Sequence, residues 1–145
     1  MRFFIAGVMQ GSSHGTELHD QDYRERIEAT IRRAMPTAEV YDPWANHRES
    51  ITYDDLTGKQ VFLEHNRMCG EMDVVVAFVP QASMGTAIEM WEAFRNDRMV
   101  IAVSPMAHNW AIKFVSHLRF DSLDDFDRAM EDGSLPRRIA AFRRS

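Results

Sequence analysis

The run Val74-Val-Val-Ala-Phe-Val79, entered from Asp73 and closed by Pro80, constrains this chain more than any other stretch. It lacks the alternation of a strand with one wet face, so both of its faces must be covered. A strand of that kind belongs to a parallel sheet between two helical layers. The following Gln81-Ala-Ser-Met-Gly85 is a loop of mostly small residues, and a helical pattern begins after it. Open α/β sheets hold their ligands beyond the carboxyl ends of such strands. Glu89 therefore stands where a reactive carboxylate is expected. Met84, Ala87, Ile88, Trp91 and Phe94 surround it with apolar positions, and Ser83, Gly85 and Thr86 leave space before it. A solvated helix glutamate is the commoner fate of Glu and stays open at this point.

The rest of the chain alternates in the same way. Strands are predicted at Arg2–Ala6, Glu39–Tyr41 and Met99–Val103, with a fifth at Leu118–Phe120. A helix from Asp20 to Met35 carries Tyr23, Ile27 and Ile31 on one face and ends at Pro36. A second helix covers Leu56–Glu71, a third carries Glu89, and a last one runs from Ser122 to Gly133. The tail from Pro136, with four arginines, reads as a solvated terminal helix or frayed end. This order predicts an α/β fold: a doubly wound, Rossmann-like parallel sheet of four to five strands with helices on both faces. No repeat, low-complexity tract or linker divides the 145 residues, which read as one domain, 1–145.

Composition narrows the function. A net charge of −5 argues against a nucleic-acid polymer as partner, because phosphate-backbone affinity needs clustered Lys and Arg. No apolar run is long enough to span a membrane, and the N-terminal apolar stretch is too short for a secretory signal. Cys69 is the single cysteine, so no internal disulfide can form and a reducing cytoplasm is the expected setting. The six histidines lack ligand spacing, so no metal and no cofactor are expected. Cys69 falls on an apolar helix face and reads as a core residue. Asp73 is expected to hydrogen-bond the local backbone.

Several other residues can approach the end of the sheet. Gly7-Val-Met-Gln-Gly-Ser-Ser-His-Gly15 follows the first strand, and Gly7, Gly11, Ser12 and Ser13 could hold a phosphate or sugar oxygen. The segment is neither Gly-x-Gly-x-x-Gly nor a P-loop, and an ordinary turn remains the alternative. His65 shares a helix face with Val61, Met68 and Cys69, opposite Thr57, Gln60, Glu64, Arg67 and Glu71, so it points inward. It is either a satisfied core histidine or a catalytic group, a hydrogen-bond donor near Glu89 or a proton carrier. His47 lies in the long loop after the second strand, where Trp44 could stack on a base or anchor the loop. Asn109 can cap a following helix.

The central segment resembles the signature of the nucleoside 2-deoxyribosyltransferase superfamily, and is most similar to its 2'-deoxynucleoside 5'-phosphate N-hydrolase branch. There an Asp-Val-Val-Val-Ala strand leads to Gln-Pro-Ser-Leu-Gly and a Glu-Leu-Gly helix. Gln81, Ala82, Ser83, Met84, Gly85 and Glu89 are the matching residues. The similarity extends more weakly from Phe3-Phe-Ile-Ala-Gly7 to Ser104-Pro105. It implies Glu89 as nucleophile at the anomeric carbon, Ser83 at the 5'-phosphate and a homodimer or dimer of dimers, with Asn109 as a residue lent to the neighbour's pocket. Phe4 stands where the family usually has Tyr, and His65 where it has Asp; no Arg occurs between Phe3 and Tyr23. The expected activity is cleavage of an N-glycosidic bond in a (deoxy)nucleoside or nucleoside 5'-monophosphate, ending in hydrolysis or base exchange. The alternative is a non-catalytic nucleotide-binding or regulatory module.

Overall fold

A computed structural model describes residues 1–8 and 20–144. Five strands form one sheet: β1 (Arg2–Gly7), β2 (Glu39–Tyr41), β3 (Val74–Phe78), β4 (Met99–Val103) and β5 (Leu118–Phe120). Their order is β2-β1-β3-β4-β5, and every neighbouring pair is parallel. The helices are α1 (Asp22–Ala34), α2 (Pro43–Asn46), α3 (Asp55–Glu71), α4 (Met84–Arg95), α5 (Trp110–Val115), α6 (Leu123–Glu131) and α7 (Ser134–Phe142). This is the doubly wound arrangement the alternation predicts, and its strand order reverses between β1 and β3.

The two-residue period of the strands divides the core. Phe3, Ile5, Val74, Val76, Met99 and Ile101 face Ile27, Ile31, Phe126, Met130, Leu135 and Ile139. Phe4, Ala6, Val75, Ala77, Val100 and Ala102 face Cys69, Met72, Met90, Ala93 and Ile112. α1, α6 and α7 thus cover one face of the sheet, and α3, α4 and α5 the other. Side chains from successive strand positions point to opposite faces, so each central strand must be apolar throughout.

Three expectations need correction. The tail is a terminal helix, but it is neither frayed nor wholly solvated: α7 buries Leu135 and Ile139, and Pro136 sits in its first turn, where no intrahelical N–H partner is lost. Met84, Ile88 and Trp91 do not enclose Glu89 but lie exposed, because α4 turns Thr86, Met90 and Ala93 to the sheet instead. Asp73 accepts not a local bond but one from the Arg2 backbone N–H of the adjoining strand, at 2.7 Å.

Candidate active site

A cleft of about 440 Å³ opens beyond β1 and β3, at the point where the strand order reverses. Gly7 contributes from the end of β1, and Ser83, Met84, Gly85, Thr86 and Glu89 from the start of α4. Pro43, His47, Ser50 and Tyr53 come from the segment after β2, and Gly58, Val61, Phe62 and His65 from α3.

Local chemistry fixes each part. Ser83 is the N-cap of α4: its hydroxyl accepts from the Thr86 N–H at 3.3 Å and pairs with the Thr86 hydroxyl at 2.9 Å. A side chain on Gly85 would meet nothing within 4 Å, whereas one on Gly7 would place its Cβ 2.1 Å from the Tyr23 phenol oxygen. Gly7 thus permits α1 to close on the end of β1. Asp54 caps α3 by accepting from the Thr57 N–H at 2.7 Å.

Behind the cleft lies a buried guanidinium. Arg24 donates to the Ile5 and Gly7 carbonyls at 2.9 and 3.1 Å, to the Asp42 carboxylate at 3.0 Å and to the Gln21 side chain at 2.7 Å. It is 1 % exposed, and Asp42 also accepts from the Trp44 N–H. One side chain therefore ties the end of β1 to the start of α2.

Glu89 is half-buried, one turn into α4. Burial pushes its carboxyl from 4.5 up to about 8, and the positive charge of Arg24 opposes the rise. The Tyr23 phenol is also raised, chiefly by burial. Across the cleft, His65 is buried and its Nε2 pairs with the Tyr41 hydroxyl at 3.1 Å. Burial, His47 and Arg24 drive its imidazole down to about 4, against the pull of Glu64, so it is neutral at physiological pH. His47 Nδ1 pairs with the Tyr53 hydroxyl at 3.0 Å, and the two imidazole rings stand edge to face, 5.0 Å apart.

The structure brings together Glu89, His65, His47, Gly7, Ser83 and Gly85 in this one cleft. Phe4 is not on its surface: it is fully buried beneath Tyr41, with centroids 5.6 Å apart, and touches the edge of His65. Its inward position in β1 dictates that placement. Asn109 is exposed, does not line the cleft and caps α5 by accepting from the Ile112 N–H. Gly11, Ser12 and Ser13 lie outside the described residues. Sequence reasoning missed Tyr53, Tyr41 and Arg24, whereas Thr86, expected to leave space before Glu89, does line the cleft. Among the described residues no group of three or more His, Cys, Asp or Glu could hold a metal ion.

No protein-family model matches the chain, and no curated protein sequence matches it. Solved structures do. The 2-deoxyribosyltransferase of the psychrotolerant bacterium Bacillus psychrosaccharolyticus superposes with a TM-score of 0.66 at 16% identity, covering 88% of this chain and 90% of that one. The chain has the fold of a 2-deoxyribosyltransferase. The CMP N-glycosidase BcmB of Clostridium botulinum matches with a TM-score of 0.54 at 18% identity, over 90% of this chain and 98% of that one. A conserved protein of Enterococcus faecalis matches with a TM-score of 0.57 at 17% identity, over 90% and 97%. The fold implied by the Asp73–Glu89 resemblance is thus the fold observed. No helix among the described residues is long and apolar enough to cross a membrane.

Proposed function

We propose that this chain is a single nucleoside 2-deoxyribosyltransferase-like domain that cleaves the N-glycosidic bond of a (deoxy)nucleoside or nucleoside 5'-monophosphate. The observation that carries the reading is the carboxyl of Glu89, half-buried in a cleft at the switch point and shifted well above its ordinary range. Structural neighbours that include a 2-deoxyribosyltransferase and a CMP N-glycosidase support the same chemistry.

In this mechanism the ionised Glu89 carboxylate attacks the anomeric carbon as the carbon–nitrogen bond breaks. The bonding pair leaves with the base, and a glycosyl ester of Glu89 forms. Water then releases the sugar, or a second base takes it, so hydrolysis and exchange share the first half-reaction. A carboxylate drawn from a poorly solvated site is a stronger base and nucleophile, and positive charge developing on the sugar favours its ionised form. Gly85 leaves space for the sugar, Ser83 stands at its 5' side, and neutral His65, held by Tyr41, orients it.

The working unit is proposed to be a cytoplasmic homodimer or dimer of dimers. Met84, Ile88, Trp91, Trp110 and Phe114 present an exposed apolar surface on α4 and α5 that a second copy would cover, bringing Asn109 toward its pocket. Sedimentation at micromolar concentration checks this, and a monomer refutes it.

The central experiment measures base release from a panel of nucleosides and nucleotides by wild type and Glu89→Gln. Glutamine keeps the size of glutamate but supplies no anion, so release should fall by at least about two to three orders of magnitude. Equal rates in both proteins eliminate Glu89 as nucleophile. Tight binding without turnover by wild type identifies a nucleotide-binding module instead.

A further inference from the structure

Glycosidic cleavage needs help at two places, the anomeric carbon and the departing base, and Glu89 serves only the first. A base expelled as an anion is a poor leaving group, so a donor beside its nitrogens accelerates departure. The cleft offers two imidazoles for this purpose, and their surroundings differ.

His65 is the deeper. Its Nε2 is taken by the Tyr41 hydroxyl, its ring lies against Phe4, and the residue is only 6 % exposed. His47 is half-buried and lines the cleft. Its Nδ1 faces the Tyr53 hydroxyl, and among the described residues its Nε2 has no protein partner. When the Tyr53 hydroxyl donates to Nδ1, the ring's N–H lies on Nε2, which leaves one N–H donor on an imidazole that lines the cleft. Tyr53 and Phe62, which flank the same space, offer flat surfaces for a stacked heterocycle. With the sugar at Glu89, the remaining volume beside Tyr53, Phe62 and His47 is the place for the base.

On the glycosidase reading proposed above, we infer that His47, oriented by Tyr53, is a catalytic residue that donates a hydrogen bond from Nε2 to the leaving base, while His65 only positions. As the carbon–nitrogen bond breaks, its electron pair moves onto the base nitrogen. The His47 N–H stabilises that charge without giving up its proton. Water then supplies the proton that neutralises the free base. Glu89 forms the new bond to carbon, and no redox change or further reactant is required.

The test varies the leaving group. Base release from 2'-deoxyadenosine and 2'-deoxycytidine is compared with release of 4-nitrophenolate from 4-nitrophenyl 2-deoxyribofuranoside, which departs without a donor. His47→Phe should slow both nucleosides by about 100-fold or more while changing nitrophenolate release less than about fivefold. Tyr53→Phe, which keeps the imidazole, should show the same selectivity at about tenfold. Nitrogen NMR of its His47 ring should show the proton no longer confined to Nε2. His47→Gln, which retains an N–H, should recover part of the nucleoside rate. Equal loss on all three substrates, or no loss on any, overturns the role of His47 while leaving Glu89 untouched. A wild type that releases base neither from these substrates nor from the nucleotides of the panel above overturns the glycosidase reading and this inference with it.

Discussion

Glu89→Gln should make the protein more stable at alkaline pH and leave its stability at acid pH almost unchanged. The Glu89 carboxyl titrates near 4.5 when unfolded and at about 8 in the folded chain, chiefly through burial. Below the lower value it is protonated in both states, and Glu and Gln are near-equivalent. As pH rises between the two values, the unfolded chain has released the proton that the folded chain still holds, so folding stability falls. Above about 8 the full penalty is present. Its ceiling, at about 1.4 kcal/mol per pH unit, is about 5 kcal/mol. Because Glu89 is half-buried beside an open cleft, water moderates that cost, and we expect about 1–3 kcal/mol. Urea unfolding of both proteins at about pH 5 and about pH 8.5 measures the difference. A gain of the same size at both pH values, or a loss at the higher one, refutes the premise that the folded site resists the Glu89 anion. Since the proposed nucleophile is that anion, kcat/KM should rise with pH toward about 8 in the same preparation.

Other perturbations probe the scaffold and the pocket. Arg24→Met leaves Asp42 buried without its cation and frees the Ile5 and Gly7 carbonyls, so thermal or urea unfolding should show a loss of about 3–5 kcal/mol. Gly7→Ala forces the Tyr23 ring away from the end of β1; a loss of about 1–3 kcal/mol is expected from unfolding curves, and an unchanged midpoint would contradict the close approach. His65→Asp restores the residue the resemblance implies at that position. It should raise base release from 2'-deoxynucleotides, and a fall in that rate would show that the Tyr41 contact is itself required.

Much of this architecture is legible in the sequence because parallel strands covered on both faces have a strong signature. β2, β4 and β5 have the bounds that the sequence pattern predicts. α7 was legible as a terminal helix but not its start at Ser134 or its buried face, because four arginines mask Ile139 and Pro136, favourable in a first turn, marked the beginning of the tail. The orientation of α4 was misread because it carries two apolar faces. Periodicity shows that Met84, Ile88 and Trp91 share a side, but not that the sheet prefers Thr86, Met90 and Ala93. Thr86 and Ala93 are small, so the helix can sit close to the strands there. Within the cleft, Glu89 and His65 were visible because each has a fixed place on a patterned helix. Tyr53 lies in an irregular segment, where no period gives direction. Arg24 was hidden by its charge: an arginine on an amphipathic helix reads as solvated, and only the fold shows the strand-end carbonyls that receive it.

The lone thiol gives the molecule a built-in clock. Cys69 is fully buried on α3, one turn beyond His65, and burial together with Glu89 and Glu92 pushes its ionisation far above the ordinary thiol range. Only a thiolate reacts with an alkylating reagent, so labelling must await the moment when α3 lifts from the sheet. The labelling rate therefore counts openings of the helix that carries one side of the cleft. A nucleoside that bridges α3 and α4 would have to leave before each such opening, and the slowing of alkylation would report its occupancy without any need for turnover.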